Sequence, residues 1–118
     1  MAWIKIAREE DFEGESMKVF MLDGWPVIVS KIDGKFYAVS AICTHMYAYL
    51  PSGTAKDGTI TCPVHGAQYD LKTGKVVRNV SEPVKKITGK VSYDLNSYDV
   101  DVSDGDILVN MPAPEGLR

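Results

Sequence analysis

The chain has 118 residues, 45% of them hydrophobic and 25% charged, with a formal net charge of −3 and a pI near 5.3. That is enough apolar content for one small core, and an acidic balance with no basic stripe argues against nucleic acid as a partner. Met1 to Phe12 carries Lys5, Arg8, Glu9, Glu10 and Asp11 with no apolar run, and only two cysteines are present, so neither a secretory leader nor an oxidising compartment is indicated and a cytoplasmic location is expected.

Trp3-Ile4-Lys5-Ile6 alternates and predicts an opening strand, with a helical turn over Arg8 to Phe12. Met17 to Leu22 and Val27 to Ile32 read as strands around an Asp23-Gly24-Trp25-Pro26 turn. Ile32-Asp33-Gly34-Lys35 has the Asp-Gly signature of a tight hairpin and leads into Phe36-Tyr37-Ala38-Val39. Phe36 to Ala55 then runs for twenty positions without a charge, which is membrane-spanning length, yet Ser40, Thr44, His45, Pro51, Ser52, Gly53 and Thr54 within it suit a loop better than a bilayer helix. Asp57-Gly58 turns the chain into Thr59-Ile60-Thr61, and Lys72-Thr73-Gly74-Lys75 is a further turn. Tyr98 to Val102 alternates, turns through Ser103-Asp104-Gly105-Asp106 and returns as Ile107-Leu108-Val109. No twelve-residue amphipathic helix is predicted, and 111–118, with Pro112 and Pro114, reads as a loose tail. Frequent short strands and regular turns predict an all-β antiparallel sandwich or barrel, a single domain over 1–118.

All the Cys and His of the chain fall in one pattern: Cys43-Thr44-His45, then Cys62-Pro63-Val64-His65. Four such side chains can hold one tetrahedral zinc. They can equally hold two sulfide-bridged irons, both thiolates on one iron and both imidazoles on the other. Zinc modules more often pair Cys with Cys and His with His, two to four residues apart, whereas here each loop is mixed, cysteine first.

Beyond the four ligands, Cys43-Thr44-His45 and Cys62-Pro63-Val64-His65-Gly66-Ala67-Gln68-Tyr69-Asp70 resemble the two cluster-binding loops of the Rieske family, at about 42–51 and 62–71. The resemblance extends to total length, which is similar to that of the small soluble Rieske-type ferredoxins. It implies a 2Fe–2S cluster ligated by Cys43, His45, Cys62 and His65, at a two-loop tip on a β base. Respiratory members place an extra cysteine in each loop, where this chain has Ala48 and Val64, and a serine that donates to a bridging sulfide, where it has Ala67. Tyr69 matches their tyrosine, whose phenol donates to a thiolate at the position of Cys43. Ser81-Glu82-Pro83 resembles the loop whose proline, here Pro83, closes a third side of the cluster.

With neutral imidazoles, two ferric ions, two sulfides and two thiolates carry no net charge. Reduction is then easier than with four thiolates, and Rieske potentials lie at roughly −150 to +300 mV against about −400 mV. Ala67 and the missing disulfide place this chain in the lower part of that range. Met46, Tyr47, Tyr49, Leu50 and Pro51 follow the first ligand pair, and most of them are expected to shield the sulfides from water. Glu9, Glu10, Asp11, Glu13 and Glu15 read as a solvated face. The resemblance implies a one-electron carrier, not an enzyme on a substrate, passing electrons from a flavin-dependent reductase to a terminal oxygenase or similar partner. Its alternatives are a small Rieske subunit of a larger oxidoreductase and a zinc-stabilised binding module.

Overall fold

Val27-Ile28-Val29 is an unbroken β-branched run, the pattern of a strand covered on both faces. In the computed structural model it forms the middle of β3 (Trp25–Ile32), and all three residues are fully buried. The structure describes residues 2–14, 16–22, 24–43, 49–64, 66–79, 82–89 and 92–111. Around β3 lie β1 (Ala2–Arg8), β2 (Ser16–Leu22), β4 (Lys35–Ser40), β5 (Thr54–Lys56), β6 (Thr59–Thr61), β7 (Gln68–Asp70), β8 (Val76–Arg78), α1 (Glu82–Thr88), β9 (Ser97–Tyr98), β10 (Val100–Ser103) and β11 (Asp106–Met111). The strands form three antiparallel sheets, in the orders β1-β11-β10, β2-β3-β4-β9 and β5-β6-β7-β8.

The two faces of β3 serve two cores. Ile28 and Ile32 pack with Cys43, Leu50, Ile60, Cys62, Tyr69 and Leu71. Val27 and Val29 pack on the opposite side with Phe12, Ile107, Val109 and Met111. Three Asp-Gly pairs close hairpins with both residues at positive φ: Asp33 (52°) with Gly34 (78°), Asp57 (52°) with Gly58 (76°), and Asp104 (51°) with Gly105 (81°). Glycine tolerates that conformation without steric cost, and it matches the twist of the flanking strands. At the start of the chain the Arg8 backbone donates to Asp11 Oδ2 (2.9 Å), and the Arg8 guanidinium reaches Glu10 and Asp106. The hydrogen bond with Glu10 and then the charge of Asp106 raise its already high pKa.

Besides the short strands β5 and β8, which the sequence does not announce, four elements differ from expectation. The first turn is tighter: Leu22 pairs with Trp25, so Trp25 and Pro26 belong to β3, and the Pro26 carbonyl accepts from Ala41 (3.0 Å). A proline near a strand's start sacrifices little of the ladder. The expected arm Tyr98–Val102 is split at Asp99: Tyr98 pairs with Ala38 of β4, whereas Val100 pairs with Val109 of β11. The alternation survives because the chain changes sheet without changing the period of its side chains. Met111 belongs to β11 rather than to a tail, 1% exposed and paired with Ala2; positions 112–118 lie outside the described residues. Finally, Glu82–Thr88 is a short helix, ended by Gly89 at φ 69°, whose N–H donates to the Lys85 carbonyl (2.8 Å). No helix among the described residues is long and apolar enough to cross a membrane.

Ile107 is fully buried among the β1/β11 residues, remote in sequence from both ligand loops. Ile107→Ala should cost about 2–5 kcal/mol of unfolding free energy in a urea titration, with the visible spectrum of the native protein unchanged.

Candidate metal centre

The first ligand loop leaves the body where β4 ends. Ser40 N donates to Asn96 O (2.9 Å), Leu50 N donates back to Ala41 O (2.8 Å), and Ile42 and Tyr49 form an isolated antiparallel bridge. The loop is thereby pinched at its base, with Cys43 just inside the pinch. Ser40 Oγ braces it by accepting from Trp25 Nε1 (2.9 Å) and from the backbone of Ile42 (3.3 Å). The second loop begins directly after β6. Cys62 N donates to Ala67 O (2.7 Å), and Gly66, at φ 78°, returns its N–H to Cys62 O (3.1 Å).

Both loops deliver their cysteine to the same core. Cys43, Cys62, Ala67 and Tyr69 are all buried there, and the cysteines are thiols rather than a disulfide. Tyr69 Oη lies 3.1 Å from Cys43 Sγ, within hydrogen-bond reach of sulfur. Leu50 is fully buried against the same residues, while Tyr49 and Val64 are 45% and 49% exposed. Of the apolar residues after the first ligand pair, then, Leu50 covers and Tyr49 faces outward. His45 and His65, with Thr44, Met46, Tyr47 and Ala48, lie outside the described residues. Pro83 is exposed in the first turn of α1, and Ser81 lies outside the described residues.

Two sulfurs from facing loops, screened from water and with a phenol aimed at one of them, suit a sulfide-bridged cluster. Thiolates are the soft ligands such a cluster needs, and a hydroxyl within hydrogen-bond reach of one of the sulfurs is the kind of neighbour that tunes a cluster.

The family model described as "Rieske [2Fe-2S] domain" matches residues 2–99. The chain belongs to the Rieske [2Fe-2S] domain family. The match decides between the two ligand arrangements that spacing left open, in favour of a Rieske-type 2Fe–2S cluster with Cys and His ligands. A ferredoxin subunit of 3-phenylpropionate/cinnamic acid dioxygenase from Escherichia coli (strain K12) is 34% identical to this Rieske protein over 103 residues, 85% of this chain and 84% of that one. The solved ferredoxin of carbazole 1,9a-dioxygenase from Nocardioides aromaticivorans IC177 superposes with a TM-score of 0.72 at 27% identity, covering 92% of this chain and 97% of that one. A ferredoxin solved in complex with the reduced oxygenase of carbazole 1,9a-dioxygenase superposes with a TM-score of 0.72 at 26% identity, over 91% of this chain and 100% of that one.

Gly53 was not singled out from the sequence. A Cβ there would overlap the Thr61 carbonyl and crowd Pro63, so the first loop lies directly on the strand that delivers Cys62. Its only sequence signal is a glycine inside the uncharged run. Gly53→Ala should lower the melting temperature and the iron content per chain together.

For Tyr69→Phe, the Rieske protein should keep its characteristic spectrum and lose reduction potential. A hydrogen bond to a charged group is worth about 1.5–3 kcal/mol, of which only the difference between redox states counts. At about 59 mV per tenfold, the expected drop is a few tens of millivolts by voltammetry. An unchanged potential would reduce Tyr69 to a packing residue.

Proposed function

We propose that this Rieske protein is a ferredoxin, taking single electrons from a flavin-dependent reductase and passing them to a terminal oxygenase. One observation carries the reading: relatives matched over most of both chains are ferredoxin subunits of a dioxygenase. The ferredoxin solved together with its oxygenase, covered over its whole length, supports the same direction of transfer. The chain is thus a carrier within an oxygenase system and not itself the catalyst.

In this reading Cys43 and Cys62 hold one iron and His45 and His65 the other, and the bound cluster supplies the capacity to take up and release one electron. The protein supplies the surroundings. The pinched loops hold the sulfurs in place, Leu50 keeps water from them, and the Tyr69 hydroxyl, 3.1 Å from the Cys43 sulfur, would donate to it as a thiolate. Pro83, in the first turn of the helix that follows the third sheet, would close a further side of the cluster, as the resemblance of Ser81-Glu82-Pro83 implies. Tyr49 and Val64, exposed on loops without a charge, are cheap to dehydrate when a partner docks. Residues 1–118 work as one domain, because β3 contributes Ile28 to one core and Val29 to the other. The cytoplasm, which keeps thiols reduced, suits two cysteines committed to a cluster.

Natively purified protein should be coloured, contain two irons and two sulfides per chain, and give a Rieske EPR signal after dithionite. His65→Ala should abolish that signal. A wild type without iron or sulfide, holding one zinc, would refute the carrier reading.

A further inference from the structure

The ligand loops are uncharged. No ionisable Asp, Glu, Lys or Arg falls between Lys35 and Lys56 or between Thr59 and Tyr69. The charge beside them comes from one excursion of the chain. β8 runs from the Lys72–Lys75 turn towards the loop end of its sheet, where Arg78 pairs with Gln68, three residues past His65. The chain leaves the sheet there and returns to the same point. Asn79 Nδ2 donates to Ser92 O (3.1 Å) and Ser92 N donates to Asn79 Oδ1 (2.9 Å), which closes the excursion like a clasp. Between these anchors stands α1, none of whose described side chains is buried.

The composition of this strap is not that of the protein. Positions 78–90 hold four basic residues, Arg78, Lys85, Lys86 and Lys90, against one acidic residue, Glu82. The rest of the chain is left with nine basic and fifteen acidic residues. Among the strap's described residues Arg78, Lys85 and Lys86 stand against Glu82, a local positive excess in a chain whose net charge is −3, and Arg78 lies at the end of the sheet that carries the second loop. Lys85 and Lys86 are exposed beside Ile87, which is 84% exposed. An isoleucine so exposed directly after two lysines suits a surface that is covered in a complex.

We propose that α1, with Arg78, is a docking arm that receives an acidic surface of the protein to which electrons pass. The proposal rests on the carrier reading and adds the charge of the partner. Attraction between Lys85, Lys86 and Arg78 and the partner's carboxylates would turn the uncharged loops towards it, against the repulsion expected from the net charge. Ile87 would supply the apolar contact once the pair has met.

Voltammetry of the holoprotein on gold coated with a carboxylate-terminated monolayer tests this, the monolayer serving as the acidic surface. At low ionic strength wild type should give a reversible wave there, and the wave should fall about tenfold as salt screens the attraction. Lys85→Glu with Lys86→Glu should lose the low-salt wave while keeping the visible spectrum. Lys72→Glu with Lys75→Glu makes the same change in net charge at the opposite end of the sheet and should keep it. A wild type that responds only on an ammonium-terminated monolayer, as its net charge alone would dictate, overturns the proposal, as does equal loss in both double variants. Co-sedimentation with phosphatidylserine vesicles that disappears in the Lys85/Lys86 variant would assign the arm to a membrane surface and also overturn it. Failure of the carrier reading is distinct: no reversible wave on either monolayer and no Rieske EPR signal.

Discussion

Two polypeptide loops far apart in sequence must bring their sulfurs to one dry place, and most of the structure follows from that requirement. The contact that ties the loops together is Tyr69 Oη with Cys43 Sγ at 3.1 Å. Tyr69 lies on the strand that follows the second loop, and Cys43 opens the first. A single phenol therefore bridges the two halves of the site. The backbone bonds at each pinch, Leu50 to Ala41 and Cys62 to Ala67, keep that contact from depending on side-chain packing alone. Buried donors and acceptors that are all satisfied specify one arrangement better than apolar packing does.

The requirement reaches further through β3. Because its two faces belong to different cores, the strand cannot shift register without exposing Ile28 on one side or Val29 on the other. β4 is fixed to β3 over six residue pairs and ends three residues before Cys43. The position of the first thiol is thus set by the apolar pattern of a strand that never touches metal. The base sheets serve as a rigid mount, consistent with the rule that precise sites need elements whose own geometry is over-determined.

Much of this was legible in the chain. The Cys and His residues stood out because the sequence spends none elsewhere, and Asp-Gly pairs marked the hairpins at Asp33-Gly34 and Asp104-Gly105 and the turn at Asp57-Gly58. What stayed hidden has physical causes. The break at Asp99 is invisible to a period-two pattern, since Tyr98, Val100 and Val102 keep alternating while their partners change sheet. Met111 looked like the start of a tail because its partner, Ala2, is at the other end of the chain. α1 spans only 7 residues, fewer than an amphipathic period needs to show itself, and Pro83 read as loop although proline is welcome in a helix's first turn. Gly53 needed the neighbouring carbonyl of Thr61 to acquire meaning.

The clasp between Asn79 and Ser92 has an evolutionary consequence. Both of its hydrogen bonds use the same side-chain amide, one as donor and one as acceptor, against the backbone of a single residue. The two anchors are therefore held together at one point at the end of the sheet, and closing a somewhat longer loop between them would cost little more. Lys85, Lys86 and Ile87, exposed on α1, can be exchanged without touching the strands that carry the sulfurs. A lineage could change the partners it recognises by rewriting the exposed side chains that follow Pro83 on α1, and leave the redox chemistry as it was.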